Sequence, residues 1–290
     1  MMNKITRNFL NLIIPNKNTR IKIRDFLYKN KLIKKPEMKL GISYSVWDGE
    51  ELLEASLKSV RKNCDYINIV WQKYSWYGEP CSENLEKFLN TLKEKGLVDE
   101  IILFEPDLQK TSNLNELNKR NLGLKYVKKA KCTHFLTMDT DEFYKNDEFL
   151  NAKNYILKYG ITHSICRITT YTRINYREVE PAEYFVPFIH KINRFSKLKM
   201  NACSPVPWLA DATRQLPVNI FSNICTLHNI SMHHYVGVRK NIGKKYKNSS
   251  ANWSDEQQIN TINYFNQNAE LMAQNNHWIK VENIFNINID

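Results

Sequence analysis

No two cysteines in this chain stand as a C-x-x-C pair; the six (Cys64, Cys81, Cys132, Cys166, Cys203 and Cys225) are scattered singly. That scatter excludes a zinc knuckle and a disulfide-stapled secreted module, and predicts buried free thiols in a reducing cytoplasm. No apolar run is long enough to span a bilayer. The best candidate, Phe9 to Ile14, is too short even for a signal-peptide core and lacks a small-residue cleavage site after it. A protein that stays on the side of the membrane where it is made is expected. Internal repeats and recognised nucleic-acid-binding modules are absent too, so nucleic acid is not an expected partner. What is present suits a large folded domain. The 290 residues are 42% hydrophobic and 25% charged, enough to bury a substantial core and too apolar for wholesale disorder.

Acidic residues are scarce chiefly at the N-terminus. Residues 1–39 carry eleven Lys/Arg against Asp25 and Glu37, so +9 of the net charge of +12 lies there. The bases interleave with apolar residues such as Phe9, Ile13, Phe26 and Leu27 up to Pro36. A basic amphipathic segment over 1–36 can lie in the headgroup region of an anionic membrane. A solvated basic arm, or a helix packed on the domain, accounts for the same pattern.

From Met38 onward the pattern alternates. Strand-like LGISYSVW (Leu40 to Trp47) precedes a helical stretch with Leu53, Leu57 and Val60 on one stripe. YINIVWQKY is a second strand, followed by a helix from about Ser82 that stops at Gly96. VDEIILFE, NELNKRNLGLKYVKKA and THFLTMD continue as strand, helix and strand. This rhythm predicts an α/β fold with a mostly parallel central sheet and crossover helices. Beyond Tyr144 it loosens into a helix ending at Gly160, three further strands, an irregular stretch over 204–217 and a last helix opened by a Ser254/Gln257 capping box. The expected organisation is the N-terminal segment, one domain over 37–275 and a tail over 276–290. Within the domain, 37–145 is a nucleotide-binding half, 146–253 an acceptor half and 254–275 a helix.

In open parallel sheets, ligands bind beyond the carboxyl ends of the strands. HFLTMDTDEFY (His134 to Tyr144) sets three carboxylates, Asp139, Asp141 and Glu142, at such an end. Carboxylates one residue apart can share a hard cation, or one can hold the cation while the other takes a sugar hydroxyl. A D-x-D also occurs by chance, and acidic residues suit a helix N-terminus. Its place after a buried strand favours the ligand reading.

The stretch Asn115 to Tyr144, an R-N-x-G helix running into the strand that ends in D-x-D, resembles the core of GT-A-fold glycosyltransferases. The likeness is to the family 2-like enzymes of bacterial polysaccharide and lipopolysaccharide synthesis. SYSVWDGEELLEASLKSV is similar to that group's opening. The resemblance covers residues 38–145 and continues only as short motifs. It implies a Rossmann-like nucleotide-sugar half, an acceptor half, a nucleotide-sugar donor, and Mn²⁺ or Mg²⁺ on Asp139 and Asp141. A late H-x-x-x-x-R pattern, matched by His234 and Arg239, implies His234 as a third metal ligand, with Arg239 and Lys245 in a cationic lid over the donor diphosphate. Tyr44, Val46, Asp48, Tyr74 and Arg120 fall where the group contacts the donor. The aspartate that many members carry after the second strand is missing, replaced by QKYSWYGEP.

An inverting transferase needs a carboxylate to take the proton of the acceptor hydroxyl. Asp211, beside Arg214, is a candidate, as are Glu180 and Glu183; an Asp211–Arg214 pair that merely orders a loop is the competing reading. The expected function is transfer of a sugar from a nucleoside-diphosphate sugar to a saccharide or lipid-linked saccharide acceptor. The setting implied is the cytoplasm of a bacterium, with a peripheral position on its inner membrane. Two alternatives stand beside it: a sugar-phosphate nucleotidyltransferase, and a non-catalytic protein of the membrane surface. The first is disfavoured because SYSVWDGEE has one glycine and no base where a Gly-rich basic loop belongs.

Overall fold

A computed structural model describes residues 16–30, 32, 37–179, 184–200, 209–220, 222–251, 253–267, 274 and 278–289. Helix α1 (Lys17–Lys29) begins at Asn16, whose side chain accepts from the backbone N–H groups of Asn18 and Thr19. Among the described residues, no helix is long and apolar enough to cross a membrane. Cys64, Cys81, Cys132, Cys166 and Cys225 are free thiols.

The first half is a parallel sheet. Strand β1 (Leu40–Val46) pairs in parallel with β2 (Tyr66–Trp71) on one side and with β4 (His134–Asp139) on the other. β3 (Glu100–Leu103) extends the sheet beyond β2. Every residue of β1 except Ser45 is buried, as a strand covered on both faces requires. Helices α2 (Glu50–Arg61), α3 (Leu85–Glu94) and α4 (Ser112–Lys129) make the crossovers. α2 buries Leu52, Leu53, Leu57 and Val60 on one stripe.

Helix α4 is different. The face it buries includes Asn115, Lys119 and Arg120 as well as Leu124 and Val127. Its closest approach to the sheet is at Gly123, where a Cβ would sit 1.9 Å from Ser43 Oγ. Glycine is needed there for the helix to lie this near β1. The approach brings Lys119 and Arg120 under the carboxyl ends of β1 and β4.

The second half is mixed. After β5 (Glu142–Phe143) and α5 (Asn146–Tyr159), β6 (His163–Arg173) pairs antiparallel with β8 (Phe185–Lys191), and β8 joins β4. β9 (Ile224–His234) runs parallel to β6, and its partner jumps from Leu227 opposite Cys166 to Ser231 opposite Arg167. That bulge sets the register in which Glu142 of β5 faces His234. The short α6 (Ile242–Lys247) and α7 (Asp255–Asn266) follow; α7 carries the expected capping box between Ser254 and Gln257. Within the segment expected as a tail over 276–290 a strand forms. β10 (Trp278–Lys280) adds to β7 (Tyr176–Glu178), and Ile287 packs with Leu52, Phe143 and Tyr235. The whole is the α/β architecture expected: a Rossmann-like parallel half joined through β4 and β8 to a mixed half.

Candidate functional site

Two charged clusters lie at the carboxyl end of β4. The first is a lattice of arginine and carboxylate. Arg214, in a single 3₁₀ turn (Ala212–Arg214), donates through Nη2 to Asp139 Oδ2 at 2.6 Å and to Glu142 Oε1 at 2.5 Å. Its Nη1 reaches Glu142 Oε2 at 2.8 Å and its Nε reaches Asp211 Oδ2 at 2.6 Å. Arg120, rising from α4, donates through Nη2 to Asp211 at 2.7 Å, Glu116 at 2.9 Å and Asp139 at 3.1 Å. Its other donors meet Thr213 Oγ1 and Thr137 Oγ1, each at 3.0 Å. Both arginines are almost wholly buried.

The second cluster surrounds Asp141. Its Oδ2 accepts from Lys245 Nζ at 2.6 Å and from Arg239 Nη2 at 3.0 Å, with His234 Nε2 at 3.5 Å. Arg239 lies against Gly49, where a Cβ would fall 1.4 Å from its Nη1, and Gly49 holds φ at 83°. Only glycine leaves that space and takes that backbone freely. Arg239 Nη2 also donates to Thr140 Oγ1 at 3.1 Å, and that hydroxyl donates to the Asp48 carbonyl at 3.3 Å. Lys244 completes the rim, 4.0 Å from Asp48 and 4.8 Å from the Trp47 ring centroid.

These surroundings divide the carboxylates. Burial works to raise the pKa of Asp139, but Arg120 and Arg214 outweigh it and hold the group below its ordinary value. Burial likewise opposes ionisation of Asp141, and Lys245, Arg239 and His234 bring its pKa well below the usual range. Burial leaves Glu142 and Glu116 raised. Burial also pulls Lys119, whose Nζ donates to the Val46 carbonyl at 2.9 Å, down to about 7.

Several expected site residues take other places. Tyr44 is a core residue whose hydroxyl meets Ser56 Oγ at 3.0 Å. Val46 contributes its carbonyl to Lys119 rather than to an open surface. Tyr74 stands half exposed on the turn after β2, bridged to Pro80. Asp211 is a poor general base. Its Oδ1 accepts from the Thr213 N–H and hydroxyl and its Oδ2 from both arginines, and although burial opposes ionisation, those arginines lower its pKa. Arg214 is the hub of the lattice, not an open catalytic group. Glu180 and Glu183 lie outside the described residues, as does most of residues 1–36. The sequence reading missed Glu116 and Lys119. The signal for both was polar residues at helical spacing on the one face of α4 that must meet the sheet.

The fit to a divalent cation differs between the clusters. Glu116, Asp139 and Asp211 have oxygens within 4.8 Å of one another and could by spacing hold a metal. Arg120 Nη2, however, lies within hydrogen-bond distance of all three. The place of a cation is thus taken by a buried guanidinium. The expected set of Asp139, Asp141 and His234 does not form such a group, because Asp139 is turned to the arginines. Asp141 offers the carboxylate oxygen that suits Mn²⁺ or Mg²⁺, with the His234 imidazole beside it at 3.5 Å. There the competing group is Lys245, which is about one-fifth exposed and sits on a six-residue helix.

No protein-family model matches this chain, and no curated protein does. Among solved structures, S. aureus TarS is 12% identical, with a TM-score of 0.42, over 79% of this chain and 43% of that one. TarS 1-349 in complex with UDP is 15% identical, with a TM-score of 0.34 over 46% of this chain and 36% of that chain. Mannose-1-phosphate geranyltransferase from Thermus thermophilus is 15% identical, with a TM-score of 0.30 over 54% and 51%. The chain therefore spans only about a third of the TarS fragment it matches. Likenesses this distant say nothing of what this chain binds.

Proposed function

We propose that this protein is a glycosyltransferase moving a sugar from a nucleoside-diphosphate sugar to a hydroxyl of a saccharide or lipid-linked saccharide, with inversion. One observation carries the reading: at the carboxyl end of β4, the side where parallel sheets bind ligands, Asp141 gathers Lys245, Arg239 and His234. A departing diphosphate needs positive charge that is already in place. Arg239, Lys244 and Lys245 supply it, and Asp48 on the opposite rim orients the donor. Mg²⁺ or Mn²⁺ on Asp141 and His234, with Lys245 withdrawn to the diphosphate, would add further neutralisation of the leaving group. Asp139, kept ionised by Arg120 and Arg214, is suited to accept a hydrogen bond from a donor sugar hydroxyl. With Asp211 fully engaged, Glu183 is the proposed proton acceptor.

Release of nucleoside diphosphate from UDP-, GDP- and dTDP-sugars, with and without Mn²⁺, tests this. Asp141→Asn keeps the shape and removes the charge. It should lower turnover by at least about a hundredfold, in line with loss of a group acting on transition-state charge, while the thermal melt stays cooperative. Full activity in that variant would remove Asp141 from the mechanism.

A further inference from the structure

The acceptor half carries a second cationic site. A cleft of about 820 Å³ opens between the β6–β7 turn, the segment after β9, the end of α7 and β10. Its size is that of small-ligand pockets. Arg173, Lys240 and Lys280 line it together with Arg239, and among the described residues no carboxylate lines it, the Glu51 carboxylate accepting from the Lys240 backbone N–H at 3.0 Å from outside the cleft. Arg239 already has Asp141 as its counter-ion. Among the described residues the other three form no ion pair. Arg173 is fixed at the wall by donating to the Thr172 carbonyl at 2.8 Å and the Gln267 carbonyl at 3.1 Å. Burial lowers its pKa, and no acid offsets this.

The floor is apolar. Val238, Ile242 and Phe265 are each less than 10% exposed. The Phe265 ring lies against Gly237, where a Cβ would come within 2.4 Å of the ring edge. The cleft thus pairs a ring of positive charge with a flat hydrophobic base. It adjoins the Asp141 cluster through one shared side chain, Arg239.

We propose that this cleft binds the phosphate group of the acceptor, a phosphorylated saccharide either free or carried on a lipid, with Arg173, Lys240 and Lys280 on the phosphate and Phe265 beneath the adjoining apolar surface. The proposal rests on reading the second half as the acceptor side. Three cationic side chains that form no ion pair among the described residues suit a dianion, and a neutral sugar would leave them unused. Arg239 would then sit between two anions, the donor diphosphate on the Asp141 side and the acceptor phosphate on the other.

Binding to the full chain, with no nucleotide present, tests it apart from turnover. Hexose 1-phosphate, the neutral hexose, and a polyprenyl phosphate in neutral-detergent micelles would be titrated by calorimetry. Wild type should bind a phosphorylated probe and not the neutral hexose. Lys280→Glu and the double variant with Lys240→Glu should each weaken binding roughly tenfold or more, since each loses a charge-assisted contact. Both lysines are exposed, so an unchanged melting curve is the expected control for folding. Binding of the hexose phosphate indicates a soluble source, and binding of the micellar probe alone a lipid-linked one. Equal binding of the neutral hexose, or no loss in the double variant, would overturn the proposal. Phosphate binding without any nucleotide-sugar turnover would leave this site standing and remove the transferase reading.

Discussion

Arg214 shows how a single side chain can tie several carboxylates into one lattice. It lies 4% exposed among Asp139, Glu142 and Asp211, and these carboxylates tolerate burial only because Arg214 and Arg120 stand between them. Removing one partner of a buried pair leaves uncompensated charge, which costs about 3–5 kcal/mol. Arg214→Met should therefore lower the urea-unfolding free energy by that amount. Arg214→Lys should recover only part of it, because an ammonium cannot reproduce the fork across two carboxylates. A Met variant as stable as wild type would mean that the lattice is not what holds this corner of the fold. At this scale the sequence was informative about anions and silent about their partners. Asp139 and Asp141 are legible because they follow an apolar strand. That Asp139 turns to Arg214, 75 residues away, and Asp211 to Arg120, 91 residues away, depends on long-range packing that no local pattern encodes. The engagement of Asp211 was unreadable for the same cause: its donors come from α4 and from its own 3₁₀ turn.

Elements with a clean apolar period read well from the chain. β1, β2, β4, α2 and the capped start of α7 fall within a few residues of their expected bounds, since burial on one stripe or on both faces fixes their pattern. β5 and β10 do not, being two and three residues long and formed only because β9 and β7 are there to pair with. The alternation within β9 was readable, and it holds: His233 turns inward to the Tyr171 hydroxyl at 2.8 Å while His234 turns to Asp141. The joint between β6 and β8 carries a pH dependence. His163 and His190 pack edge to face at 5.2 Å, and both His190 ring nitrogens are buried without a partner. Burial pulls the His190 pKa down to about 3. The unfolded chain therefore binds a proton that the folded chain refuses between about pH 6.5 and pH 3. Stability attributable to this residue is complete above that window and is lost as the pH falls through it, amounting to about 2 kcal/mol by pH 5. His190→Phe should flatten the acid limb by about this much when urea midpoints at pH 7.5 and pH 5 are compared. An unchanged acid limb would place the sensitivity elsewhere.

Charge and position separate the N-terminal arm from the rest of the molecule. Removal of residues 1–36 would take the net charge from +12 to +3, so nearly all of the non-specific electrostatic attraction to anionic surfaces resides outside the sheet domain. Helix α1 within that arm leaves Phe26 61% exposed, and Leu32 just beyond it is 58% exposed. An apolar flank on a basic helix is the combination that lies in a headgroup layer, each base adding about 1 kcal/mol near an anionic surface. The buried cations at the carboxyl end of β4 are, by contrast, held by neighbouring carboxylates: Arg120 and Arg214 by those of the lattice, Arg239 and Lys245 by Asp141. Attachment and catalysis should therefore separate cleanly. The chain lacking residues 1–36 is expected to lose sedimentation with phosphatidylcholine vesicles containing phosphatidylglycerol, and to keep both its thermal melt and its release of nucleoside diphosphate from the donor. Binding of the full chain should fall steeply with added salt, because the contact is exposed and screened over about 10 Å at 0.1 M. If the shortened chain still sediments with anionic vesicles, the membrane contact belongs to the domain, and the cationic cleft beside β10 becomes the surface to test for it.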